Sequence, residues 1–212
     1  MLRVVPVEGG GRRGGRRFAS LSAALEVAVV GDVIELGIGH HWEADGLVVK
    51  QGIMIEGDEN ACDKVVLELS GTLRWEGKGG GIVGVTIRRP RRGEDEGPLV
   101  VVASHKGKGR KPKRGSRGAR VQIVRCMCDS SIGDEGEGVI VAETGSELVL
   151  EETVIKGSEK GHGLVVKDLA TVKVEAGNIN SNKLGGVKIH KGGAVEIVGD
   201  QSKCIIQTAP MA

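Results

Sequence analysis

The sequence predicts an all-β solenoid, a right-handed single-stranded parallel β-helix of about six coils of three strands, from an internal repeat, short apolar runs and abundant glycine. Gly138, Gly163 and Gly186 each open an apolar run, and Leu148, Val172 and Val195 each open a second one after a polar turn. The spacings are 25 and 23 residues in the first set and 24 and 23 in the second, the period of a stacked repeat. Each repeat holds three apolar runs of three to five residues, too short and too often broken by Gly for helices, and rich in Val and Ile. One coil alone cannot bury its inner face, so stability comes from stacking like residues on like, about 4.8 Å apart.

Residues 1–17 read as a Gly- and Arg-rich leader containing a first strand. Residues 18–30 predict a helix, because Phe18, Leu21, Leu25 and Ala28 fall at helical spacing. Its role is to cap the open first coil, which otherwise offers a bare strand edge and an exposed core. The first-strand column is then 33–36, 65–69, 99–102, 139–141, 164–166 and 187–189. The second is 47–49, 73–75, 121–123, 148–150, 172–174 and 195–197, and the third 53–55, 85–87, 126–128, 153–155, 178–180 and 204–206. This grammar occupies residues 1–212 as a single domain. No second cap follows Ile206, so the last coil is expected to be closed by the tail, by end-to-end contact with another copy or by an assembly partner.

The only aromatic residues are Phe18, Trp42 and Trp75, while Gly numbers 36, which suits a narrow interior filled by Val, Ile and Leu with Gly at the turns. No run of apolar residues reaches the length of a membrane span or of a signal peptide, so the expected location is intracellular, cytoplasmic or nuclear. Four cysteines, Cys62, Cys126, Cys128 and Cys204, fit a reducing compartment better than a disulfide framework. Cys126 and Cys128 alternate along one strand and share a face, but no second pair stands nearby, so neither a metal nor another cofactor is expected.

Formal net charge is +2, yet it is unevenly spread. No acidic residue occurs between Glu96 and Asp129, and residues 103–120 hold Lys106, Lys108, Arg110, Lys111, Lys113, Arg114, Arg117 and Arg120. The rest of the chain therefore sums to −6. This segment replaces a short turn between the first and second strands of one coil, and with no large apolar residue it predicts a disordered basic loop. Those eight cations are the candidate site for a polyanion, either a nucleic acid or an acidic protein surface. A second insertion, Arg88 to Glu96, has a basic half and an acidic half and reads as a solvated turn.

The segments FASLSAALEVAVVGDVIEL (18–36) and LVVKQGIMIEG (47–57), with the later repeats and their Ile179-Asn-Ser-Asn182 turn, resemble the pectate-lyase-like superfamily of right-handed β-helices. The resemblance implies the order of small helix, Gly-Asp turn and first strand, and it is a resemblance of fold. Many members act on acidic polysaccharides, which makes a divergent lyase or esterase an alternative, with Asp129, Asp134, Glu135 and Glu137 as the site to test. His40-His41-Trp42-Glu43 falls where sugar-active relatives carry a largely architectural segment. The scarcity of aromatic residues argues against sugar subsites. The reading that follows has no catalytic residues: an intracellular interaction or scaffold module that meets a protein partner and engages an acidic surface or nucleic acid through its basic loop. A third expectation is a structural subunit of a large assembly.

Overall fold

The computed structural model describes residues 2–4, 16–90, 97–103, 119–130, 138–200 and 204–206. The chain opens with β1 (Leu2–Val4), β2 (Arg16–Phe18), α1 (Leu21–Val27), β3 (Val33–Leu36) and β4 (Gly39–Glu43). It continues through β5 (Leu47–Val49), β6 (Met54–Glu56), β7 (Val65–Leu69), β8 (Leu73–Trp75), β9 (Gly81–Val83) and β10 (Thr86–Arg88). Then come β11 (Val100–Val102), β12 (Arg120–Val124), β13 (Met127–Asp129), β14 (Gly138–Ala142), β15 (Glu147–Glu151) and β16 (Val154–Lys156). The last strands are β17 (His162–Val166), β18 (Thr171–Glu175), β19 (Asn178–Asn180), β20 (Val187–Ile189), β21 (Ala194–Val198) and β22 (Ile205–Ile206).

Among the described residues these strands form three parallel sheets. Sheet A is ordered β2-β1-β3-β6-β9-β12-β15-β18-β21, sheet B runs from β4 to β22, and sheet C runs from β5 to β20. From β5 onward the chain visits C, then A, then B, repeatedly, which is a parallel β-strand solenoid. The core lies between the sheets as stacked columns of like residues. Ile34, Ile55, Ile82, Ile123, Leu150 and Val174 stack in sheet A, and Leu67, Ile87, Cys128, Ile155 and Ile179 in sheet B, all buried.

The tight corner from A to B shows how local chemistry supports the stack. Gly84, Arg125, Glu152 and Ala176 occupy it with φ of 65°, 50°, 45° and 53°, a left-handed conformation that costs a non-Gly residue about 1–2 kcal/mol. The next residue points inward and answers the carbonyls freed by the bend. Cys126 Sγ donates to Val124 O and Ile82 O, and Thr153 Oγ1 donates to Glu151 O and Ile123 O, so each side chain ties its own coil to the one before.

Helix α1 starts at Leu21 because Phe18 still belongs to β2 and Ser20 caps it, accepting from Ala23 N. It packs on β1, β2 and β4, burying Leu21 and Ala24, and a cleft of about 430 Å³ separates it from β5, the edge strand of sheet C. At the other end, Ile189 and Ile197 align with the buried Val166 and Val174 yet are 51% and 38% exposed, because no further described strand stacks on them.

Strands of the last four repeats, from 99–102 onward, fall in the columns that the sequence predicts, as does 85–87. Earlier ones differ: 33–36 and 53–55 belong to sheet A, 65–69 to sheet B, and 47–49 and 73–75 to sheet C. Two strands that the sequence does not announce account for this. β4 carries a His-His-Trp-Glu run and β9 is only Gly-Ile-Val, so neither shows an apolar run, and each omission moves the neighbouring strands by one column.

Candidate interaction site on the outer face of sheet C

Along the outer face of sheet C the register places Val48, Arg74, Val101, Val141, Val165 and Lys188 in one row. Val101, Val141 and Val165 are buried, although they face away from the main core, and form a second apolar cluster. Beside them runs a groove of about 640 Å³ lined by Val48, Thr72, Pro98 and both Val101 and Val141, with Lys167 at one end. Arg74 spans it: Nη1 and Nη2 donate to Glu143 Oε1 and Oε2 at 3.2 and 2.9 Å, and Nε donates to Glu76 Oε1 at 3.1 Å. That fork raises the guanidinium pKa, chiefly through the Glu143 hydrogen bond, so Arg74 stays charged.

The wall of the groove is held from beneath by Arg89, which is buried. Its Nη1 donates to Ser70 O at 2.8 Å, and its Nη2 to Gly97 O and Pro98 O at 2.8 and 3.2 Å. Thr72 Oγ1 donates to Pro98 O as well. Arg88 points the other way and pairs with Glu68 on sheet B. The start of the 88–96 insertion is thus an anchored corner and corrects the reading as a solvated turn: the bend from B to C leaves several carbonyls facing inward, and a guanidinium satisfies them together. Residues 91–96 lie outside the described residues.

At the far end of the face the charge becomes positive. Lys188 projects from β20, and Glu143, Lys167 and His190 follow β14, β17 and β20 at equivalent positions, each amide donating to the preceding coil. Burial lowers the pKa of Lys167, and nearby Lys188 lowers it further. The same two causes, in the same order, lower that of His162, against a raising hydrogen bond to the Gly185 backbone.

Val102 ends β11 and Arg120 begins β12, with Ala103 and Ala119 buried, so the basic segment leaves and re-enters at the corner from C to A, beside this face. Lys106, Lys108, Arg110, Lys111, Lys113, Arg114 and Arg117 lie outside the described residues. Arg120 is exposed on the outer face of sheet A, its Nε 3.9 Å from Glu147 Oε2. An exposed pair at that distance contributes about 0–1 kcal/mol and leaves the cation available.

Asp129 sits on a different face. Along sheet B the outer row reads Trp42, Glu68, Arg88, Asp129, Lys156 and Asn180, and Lys156 Nζ is 3.4 Å from Asp129 Oδ2. Asp134, Glu135 and Glu137 lie outside the described residues. Glu43 accepts from the Leu21 and Ser22 amides at the start of α1, and His41 is buried with Nε2 2.7 Å from Gly37 O, so both serve the cap. Cys126 and Cys128 point into the core; burial pushes the Cys126 thiol up to about 12 and that of Cys128 well above its ordinary range. Among the described residues no three His, Cys, Asp or Glu side chains gather as a metal centre requires. None of the helices there is long and apolar enough to cross a membrane.

The outer valine row escapes reasoning on alternation alone, but it leaves a signal. Val100-Val-Val102, Val139-Ile-Val141 and Leu164-Val-Val166 lack the apolar and polar alternation of a strand with one wet face, which is how a strand buried on both faces reads. No family model matches the chain, and no curated protein or solved structure matches it either.

Proposed function

We propose that the chain is a non-catalytic interaction module on a right-handed parallel β-helix of about six coils, of the pectate-lyase-like type, and that it takes an acidic polypeptide segment across the outer face of sheet C. The observation that carries this reading is the groove beside the valine row, lined by Thr72, Pro98 and the exposed Val48 with Lys167 at one end, next to the corner at which the basic segment leaves and re-enters. Apolar area buried on docking contributes about 25 cal/mol per Å², and the flanking cations select an acidic partner and speed encounter. A protein fits better than a nucleic acid, since the groove has no aromatic residue on which a base would stack, and a phosphate chain would lay charge over valines.

The test is binding of the intact chain, and of a version lacking residues 106–118, which keeps the buried Ala119 and strand β12, to polyglutamate, single-stranded RNA, duplex DNA and heparin across a salt series. Polyglutamate binding that depends on the segment and weakens with salt is the expected result. Segment-dependent binding confined to RNA or DNA, with a steep salt slope, makes this a nucleic-acid protein instead. A second reading, a subunit of a larger assembly, is favoured by the half-exposed Ile189 and Ile197 at the end of the stack. A concentration-dependent sedimentation coefficient, abolished by Ile197→Lys, supports it, and a monomer at all concentrations removes it.

A further inference from the structure

Strand β5 is paired on one side. Among the described residues it forms the edge of sheet C, with β8 as its neighbour. Leu47 N donates to Thr72 O at 3.0 Å and Val49 O accepts from Glu76 N at 2.8 Å, so the backbones of these two residues face β8. Parallel strands turn alternate residues to opposite neighbours, so the N–H and C=O of Val48 point out of the sheet edge, where no described strand meets them. A cleft lies on each side of that edge, about 430 Å³ against α1 and about 640 Å³ on the outer face, and Gly46 and Val48 line both. Exposed apolar side chains gather here too. Val48 is 42% exposed, and Val29 and Val30, at 59% and 74%, stand on a turn that Gly31 N fastens to Gly52 O at 2.8 Å, at the end of the inner cleft. The other two sheets are extended or covered at this end: sheet A continues past β3 through β1 and β2, and α1 packs on β4.

We infer that the open edge of β5 takes an extended peptide of another protein as an added parallel strand, with alternate side chains entering the cleft against α1. This goes beyond the proposed function and does not depend on the basic segment. The backbone decides the class of ligand, because an N–H and a C=O aimed the same way in the plane of a sheet are matched by another extended backbone. Shape decides against a second solenoid. β1 and β2 raise sheet A by two strand steps, about 10 Å, beyond β3, which shares a coil with β5, so another coil end meets that wall before it reaches β5. A single strand passes beside it. In parallel register the peptide residues across from Leu47 and Val49 supply the C=O and N–H that meet Val48, and their side chains turn inward beside the half-buried Leu25. Small apolar residues such as Val suit both places. Asp45 and Lys50, exposed and without ion-pair partners among the described residues, flank the strand and favour a cation across from the first and a carboxylate across from the second. An apolar residue next in the peptide lies toward Val29 and Val30.

Fluorescence anisotropy on the intact chain tests this, with a labelled peptide containing Lys-Ser-Val-Thr-Val-Glu-Leu as the probe and two N-methylated versions of it. Methylating the second Val removes the N–H that reaches Val48 O and is expected to weaken binding by at least about tenfold, equivalent to about 1.4 kcal/mol. Methylating the Thr, whose N–H points away from β5, is expected to change it by less than about threefold. Val48→Pro removes the donor on the protein. That N–H takes no part in the pairing with β8, so the ladder is kept and binding is expected to fall by about tenfold or more. Lys50→Glu leaves the backbone untouched at an exposed position; it is expected to weaken the probe by about threefold, and a probe with Lys in place of Glu to recover that loss. No binding of the probe, equal loss from both methylations, tighter binding of the reversed sequence, or indifference to both protein variants overturns the inference. So does a dimer in sedimentation that Val48→Pro dissolves, which makes a second copy the occupant of the edge.

Discussion

Replacing Arg89 by methionine tests how the corner between sheets B and C is held and, through Pro98, how firmly the groove wall stands. The guanidinium is 4% exposed and donates to the carbonyls of Ser70 and Gly97 at 2.8 Å, with longer contacts to Pro98 at 3.2 Å and Gly71 at 3.4 Å. Methionine keeps most of the aliphatic stem but leaves the two short-range acceptors without a donor. Each such buried carbonyl costs about 1–3 kcal/mol, and relief of the guanidinium's own desolvation offsets part of the total, so the expected loss is about 3 kcal/mol. Arg89→Lys recovers about half, since one ammonium cannot serve carbonyls on both sides of the corner. Urea unfolding followed by circular dichroism reads the global loss. Exchange of the Leu73 amide, which donates to Leu99 O in the coil held by this corner, reads the local one. A methionine variant with the parental midpoint and parental Leu73 protection would refute the assignment of Arg89 as the tie between coils.

Four further outcomes follow from particular contacts. Glu43→Ala removes the acceptor for the Leu21 and Ser22 amides and is expected to destabilise by about 1 kcal/mol, seen as a lowered Tm; no change in Tm contradicts the capping role. His41 is held neutral by burial, its pKa below the ordinary 6.5. The unfolded chain therefore binds a proton at that site that the folded chain refuses, so the stability from His41 is full above about pH 6.5 and is lost as pH falls toward the folded pKa. His41→Gln should flatten the urea midpoint between pH 7.5 and 5.5, and an unchanged slope counts against it. A thiol reagent should modify the half-buried Cys62 and Cys204 in the native protein while Cys126 and Cys128 react only on unfolding, and four fast thiols would contradict the buried, protonated assignment. Gly163→Ala brings a Cβ to 2.4 Å from Ile179 Cγ2 and 2.6 Å from Asn182 Nδ2, and is expected to cost about 1–3 kcal/mol by overpacking; a neutral alanine there would show that Asn182 is free to move.

The late repeats were legible because Gly138, Gly163 and Gly186 recur in phase with Leu148, Val172 and Val195, so each strand's column can be counted from its neighbour's. β4 and β9 were not, because a strand is also made by backbone pairing with the coil below, and pairing leaves no mark on a Gly-Ile-Val or a His-His-Trp-Glu run. Arg89 was hidden for a similar reason. In sequence it is one of several arginines before an acidic stretch; only the corner geometry turns its side chain inward toward four carbonyls while Arg88, one residue earlier, faces Glu68.

Repeat period, strand length and the uneven charge were therefore set by the sequence alone, since each depends on residue type and spacing along the chain: Val and Ile in short runs favour strands, glycines permit turns, and cations cluster wherever they are encoded. Tertiary structure decided which residues share a face. The row from Val48 to Lys188 brings together positions from six strands, and the Arg74 and Glu143 fork closes across 69 residues. Those groupings arise from hydrogen-bonded register between coils, an interaction between residues 23 or more positions apart that no local pattern encodes.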